Sequence, residues 1–281
     1  MKKITPCLVA LFLASALAWA HAGAYALFHL ETEKSIPLSE AVEALSRKKI
    51  ILVGEYHNRM EHHLAQLAVI RALDNAGVPV AVGLEMFRRE SQPVLDRWVR
   101  GDMDQKAFQK AYYENWNFPW PLYRPIFGYA RQKGIPLVGV NVPAAITRKV
   151  ARRGFGSLSP EEKKRLPDVA CRVDEEYMAF IKRAYGAHAH GRMNFIYFCE
   201  AQLVWDKAMA VNALEYLEAN PGRRLVLLCG TGHAWKKGIP AQINSRSNIP
   251  VAVILPWTED RIEPGQITVR DADFILSHPS G

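Results

Sequence analysis

The sequence predicts an α/β fold: a mostly parallel central sheet flanked by helices, with a helical insert at about 102–192. Three observations predict it. Short apolar runs rich in β-formers recur at 50–53, 80–84, 135–140, 224–229 and 251–255. Segments with apolar residues at helical spacing separate several of them, which implies right-handed crossovers and parallel pairing. Polar side chains appear where four of these runs end, the place where ligands sit in an open α/β sheet.

In chain order, Lys2 and Lys3 precede an uncharged run over 4–20 that ends in Ala18-Trp19-Ala20 and Ala20-His21-Ala22. A basic start, an apolar centre and small-x-small cleavage options read as a secretory signal over 1–22. The run is short for a spanning helix. Cys7 lies too early for a lipoprotein cysteine, and no clear lipobox follows. The expected product is a cleaved, exported protein, periplasmic or outer-membrane-associated, with 23–281 as a single domain. The signal carries away Lys2 and Lys3, so the formal charge of +8 becomes +6. Basic clusters at Arg148-Lys149, Arg152-Arg153 and Lys163-Lys164-Arg165 suit solvated helix faces rather than a nucleic-acid surface, and favour anionic small molecules or a membrane surface as partners.

Residues 38–47 carry Leu38, Ala41, Val42 and Leu45 at helical spacing and lead into the first strand. That strand closes in Gly54-Glu55-Tyr56-His57, and alternation puts Glu55 and His57 on one side. Asn58 with Glu61 reads as a variant capping box opening a helix to about Ala76. His62 and His63 fall in its first turn and add less. Gly77-Val78-Pro79 stops the helix, and a second strand ends in Glu85-Met86-Phe87 before a helix at 93–99.

Residues 102–132 are helical and aromatic, broken by Pro119, Pro121 and Pro125; they read as a subdomain packed on the sheet or as an apolar wall for a flat ligand. The third strand ends at Asn141, and a helix follows over 143–150. Residues 155–192 are more charged, with helices near 160–165 and 169–185 and a His188-Ala189-His190 link beyond. Asn194 caps a long helix over 195–219 that places Gln202, Asp206 and Met209 on one face. A carboxylate there needs a partner. The fourth strand closes in Gly230-Thr231-Gly232-His233, the fifth spans 251–255, and 266–269 and 274–276 are short late strands. Cys171, Cys199 and Cys229 survive export without a C-x-x-C; a Cys171–Cys199 disulfide stays open, and Cys229 reads as a buried strand residue.

If these strands are parallel neighbours, Glu55, His57, Glu85, Asn141 and His233 converge at one crevice. Two histidines and two carboxylates suit a metal site, or a general base with its orienting partner. Gly230-Thr231-Gly232 lacks the lysine of a phosphate loop, which excludes a Walker-type nucleotide site.

Gly54-Glu55-Tyr56-His57, Gly83-Leu84-Glu85-Met86-Phe87, Tyr123-Arg124-Pro125, Ala201-Gln202 with Trp205-Asp206 and Met209-Ala210, and Gly230-Thr231-Gly232-His233 together resemble the ChaN family of haem-binding uptake proteins. That family is related to the Tiki metalloproteases and the erythromycin esterases. The resemblance implies haem or iron acquisition in a bacterial envelope together with other uptake components, haem as cofactor with tyrosine as iron ligand, and a homodimer holding stacked haems. Tyr177, Tyr185 and Tyr197, near His188 and His190, are the candidates by chemistry. The alternative that it implies is a Tiki-like hydrolase in which His57, Glu85 and His233 hold a divalent metal and Glu55 activates water. In a metal-free variant, His57 is the base and Glu55 orients it.

Overall fold

The computed structural model describes residues 25–167, 170–185, 194–259 and 262–277. The expected signal over 1–22 and the His188/His190 link lie outside these residues. In chain order the elements are β1 (Ala26–His29), β2 (Lys34–Pro37), α1 (Leu38–Ser46), β3 (Ile50–Glu55), α2 (Met60–Asn75), β4 (Val80–Arg88), α3 (Gln92–Arg100), α4 (Gln105–Asn115) and α5 (Trp120–Lys133). They continue with β5 (Leu137–Asn141), α6 (Ala144–Arg153), α7 (Pro160–Lys164), α8 (Glu175–Tyr185), α9 (Phe195–Ala219), β6 (Arg224–Gly230), α10 (Thr231–Ala234), α11 (Ile239–Asn244), β7 (Val251–Pro256) and β8 (Phe274–Ser277).

One eight-stranded sheet runs β2-β1-β8-β7-β3-β6-β4-β5. From β8 to β5 every pairing is parallel; β1 joins β8 and β2 antiparallel. The expected mostly parallel sheet is therefore present. β3 over 50–54, β6 over 225–230 and all of β7 are unbroken apolar runs because both faces are covered. Ile51, Val53, Val226 and Leu228 pack against the α1–α5 side. Ile50, Leu52, Leu225 and Leu227 pack against α8, α9 and α11. Among the described residues of the stretch 102–192, helices α4 to α8 flank β5 in the chain, and β5 takes the sheet edge.

Two local expectations change, and the disulfide left open does not form among the described residues. Asn58 and Glu61 form no capping box: the N-cap of α2 is Arg59, with no side-chain cap bond. The Tyr56 amide donates to His62 Nδ1 at 3.0 Å and the Arg59 amide to the Tyr56 carbonyl at 2.9 Å, so the turn is closed from the histidine side. Residues 266–269 form only an isolated bridge, Pro264 with Ile267. Cys171, Cys199 and Cys229 are free thiols, and Cys171 Sγ instead faces the Glu200 carbonyl.

The edge strand is sensitive to one methyl group. A Cβ at Gly139 would stand 2.5 Å from the Arg88 carbonyl oxygen, beside the register shift between β4 and β5. Backbone cannot yield as a side-chain tip does. Gly139→Ala is expected to cost about 1–3 kcal/mol, read as a lower urea midpoint.

Candidate functional site

The carboxyl ends of β3, β4, β5 and β6 open into a crevice of about 490 Å³ lined by Glu55, His57, Glu85, Asn141 and His233. The residues that the sequence assigned to strand ends do meet. β6 lies between β3 and β4, so Gly230 and His233 fall between Glu55 and Glu85.

Glu55 is 1% exposed and organises the first half of the site. Its Oε1 accepts hydrogen bonds from Tyr123 Oη at 2.7 Å and His57 Nδ1 at 2.7 Å, and His63 Nδ1 lies against Oε2. Burial alone would raise this carboxyl; the hydrogen bonds to His57 and His63 outweigh it and bring the pKa to about 2. His63 is fixed from its other nitrogen, 3.2 Å from the His57 carbonyl. Burial disfavours a charged His57, but Glu55 and Glu85 outweigh it and raise its pKa. The imidazole stands edge-on to Trp116, with ring centres 5.0 Å apart. A Cβ on Gly230 would come within 2.9 Å of its Cε1, so β6 must end in glycine for the ring to lie there.

The second half repeats this plan. Asp206, buried on α9, binds His233 Nδ1 at 2.6 Å and accepts from Tyr177 Oη at 2.6 Å. Trp205 stands nearly perpendicular to the His233 ring, with centres 5.8 Å apart. Burial raises the Asp206 carboxyl, and His233 opposes the shift. Burial disfavours a charged His233, but Glu85 and Asp206 outweigh it and raise its pKa. Glu85 sits between the halves: its Oε2 accepts the Gly230 amide at 2.6 Å, and its Oε1 is 3.7 Å from His233 Nε2. Each imidazole is thus held through Nδ1 by a carboxylate that a tyrosine also holds.

The three tyrosines separate. Tyr177 is buried and its hydroxyl is committed to Asp206. Tyr197 packs on Gly154, away from the crevice lining. Tyr185 lines the crevice, donates to Gln202 Oε1 at 2.7 Å, and lies so close over Gly232 that a Cβ there would be 2.4 Å from its Cζ. Burial raises its phenol well above the ordinary value, and Asp206 and Glu85 add to that.

The expected His57–Glu85–His233 metal triad does not assemble. Among the described residues no three His, Cys, Asp or Glu side chains are grouped to hold a metal ion. Glu55 and Asp206 hold only the Nδ1 atoms, which leaves Nε2 of each ring available, while one Glu85 oxygen is taken by a backbone amide. Sequence reasoning missed Tyr123 and His63 on Glu55, and it required a partner for Asp206 without naming His233. The Tyr123-Arg124-Pro125 motif was the available signal for the first.

Glu55 also sets a pH dependence. Its folded pKa is about 2 against 4.5 for a free side chain, so its contribution, of order 3 kcal/mol, is present above about pH 4.5 and is lost as pH falls towards 2. His57 and His233 are raised, so theirs is present below about pH 6.5 and is lost as pH rises through their folded values. Urea midpoints measured from pH 7 down to pH 2 should fall steeply below pH 4.

Solved structures share this architecture. ChaN of Campylobacter jejuni, described with cofacial haem binding, superposes with a TM-score of 0.71 at 20% identity, covering 92% of this chain and 98% of that one. An erythromycin esterase mutant, EreC in its open conformation, gives 0.50 at 13% identity over 92% and 83%. At such identities the likeness is one of fold. Among curated proteins, the chloroplastic Protein RETICULATA-RELATED 5 of Arabidopsis thaliana is 26% identical over 129 residues, which cover 43% of this chain and only 17% of that protein. The family model for haem-binding uptake, Tiki superfamily, ChaN, matches residues 41–243, a span that contains β3 to β6 and both halves of the site, and the chain belongs to that family.

Proposed function

We propose that this chain is an exported haem-binding protein of haem and iron acquisition, with ferric iron ligated by Tyr185. One observation carries the assignment of the ligand: of the three candidate tyrosines, Tyr185 alone lines the crevice. The donor set fits haem. Met86, Trp116, Phe118 and Trp205 give the crevice apolar walls for a flat macrocycle, and Arg88 and Arg148 line it as cations for carboxylates. Bound haem would supply a ferric Lewis acid, for which a phenolate is a suitable donor. Gln202 holds the phenol in place before the metal arrives. Family membership supports haem as the ligand, and in this reading a homodimer passes haem to envelope partners.

The test is titration of ferric haem into the chain over 23–281, with sedimentation in parallel. A saturable tyrosinate-type spectrum near one haem per chain, with doubled mass on loading, is expected. Non-saturable, featureless uptake would exclude the reading.

The two imidazole–carboxylate units favour a second reading, a metal-free hydrolase. In it His57, oriented by Glu55, takes a proton from water and His233 faces the leaving group. Hydrolysis of p-nitrophenyl acetate that survives chelator and disappears in His57→Ala would support it; a rate equal to that of the buffer would remove it.

A further inference from the structure

On the other side of the β3 end lies a second cavity of about 540 Å³. Tyr25, Ala65, Pro256 and Leu276, all buried, form its base, and Trp257 stands exposed at the rim. His62, only 7% exposed, lines it as well. Because His62 Nδ1 accepts the Tyr56 amide at 3.0 Å, the ring proton of the neutral imidazole is on Nε2. Burial brings the His62 pKa down to about 4, so at neutral pH the ring is an uncharged donor. Nε2 makes no hydrogen bond among the described residues and is not a fully buried atom, so its proton is open to an acceptor in the cavity. Arg59 at the rim faces Glu61 at 3.3 Å, and Glu259 adds a further negative charge, so the rim does not select an anion.

We propose that this cavity is a second ligand site, distinct from the crevice, for a small uncharged molecule with an apolar or aromatic body and an acceptor oxygen at its buried end. The body packs on Leu276 and Trp257, and the oxygen accepts the His62 Nε2 proton. The inference does not rest on the haem reading, although His62 adjoins the crevice through the Tyr56 amide and ring.

The probe is benzamide, which has a ring and a carbonyl acceptor. Ethylbenzene has the same body without the acceptor, and benzylammonium offers only a donor. Each is titrated into the signal-free chain with ¹⁵N-labelled histidine, following the His62 ring signals. Benzamide should move the His62 signals saturably in the millimolar range, and the other two should bind at least tenfold more weakly. His62→Phe should remove that preference for benzamide, and Ala65→Phe, which fills the base, should abolish binding of all three. If His62→Phe does not fold, the wild-type His62 signals and Ala65→Phe decide. An unmoved His62 signal at the solubility limit of benzamide would overturn the proposal, as would equal affinity for ethylbenzene or binding unaffected by Ala65→Phe.

Discussion

Tyr185→Phe is expected to abolish the tyrosinate band of bound ferric haem and to weaken binding by more than the 10–100-fold typical of losing an outer-sphere partner of a metal site. The protein itself should change little. The variant loses one hydrogen bond, from Tyr185 Oη to Gln202, worth about 0.5–1.5 kcal/mol, and keeps the ring over Gly232. Affinity should also depend on pH with a defined sign. Burial, with Asp206 and Glu85, holds the free phenol protonated, so a proton must leave on ligation and binding should weaken as pH falls. Two parallel variants separate ligation from support. Tyr197→Phe should leave the spectrum unchanged, and Tyr177→Phe should disturb the Asp206–His233 pair without removing the band. A band that persists in all three single variants would show that the ligand lies elsewhere.

Glu55→Ala is expected to be the most destabilising change in the site, by about 3–5 kcal/mol in urea unfolding. The carboxylate is 1% exposed and serves His57, His63 and Tyr123 together. Removing it leaves a buried phenol and two imidazoles without their common partner. Glu55→Gln keeps the volume and one acceptor and should cost less. A loss below 1 kcal/mol for the alanine variant would mean that His63 and Tyr123 repack without it.

The sequence carried the strands and their polar ends well, because a buried parallel strand is an unbroken apolar run and the switch to Glu55, Glu85 or His233 is abrupt. It could not order them. Nothing in 224–229 says that β6 enters between β3 and β4, although this brings Gly230 against His57 and Glu85. Long-range side-chain pairs were hidden for the same reason. Tyr123 stands 68 residues from Glu55 in a stretch where most aromatics are core, and Asp206 meets His233 from a helix on the sheet face. The hairpin of β1 and β2 was missed because Lys34-Ser35-Ile36-Pro37 is polar and short, a strand by pairing rather than by pattern. The α2 cap failed because the N-cap falls one residue later, at Arg59, after a turn closed from the Arg59 amide to the Tyr56 carbonyl, which a spacing rule does not register.

The most direct test of the central claim is a crystal structure of the signal-free chain loaded with ferric haem. The account predicts iron bonded to the Tyr185 phenolate, with the macrocycle against Trp116, Phe118 and Trp205. Iron on any other side chain, or haem bound outside the crevice, would contradict it.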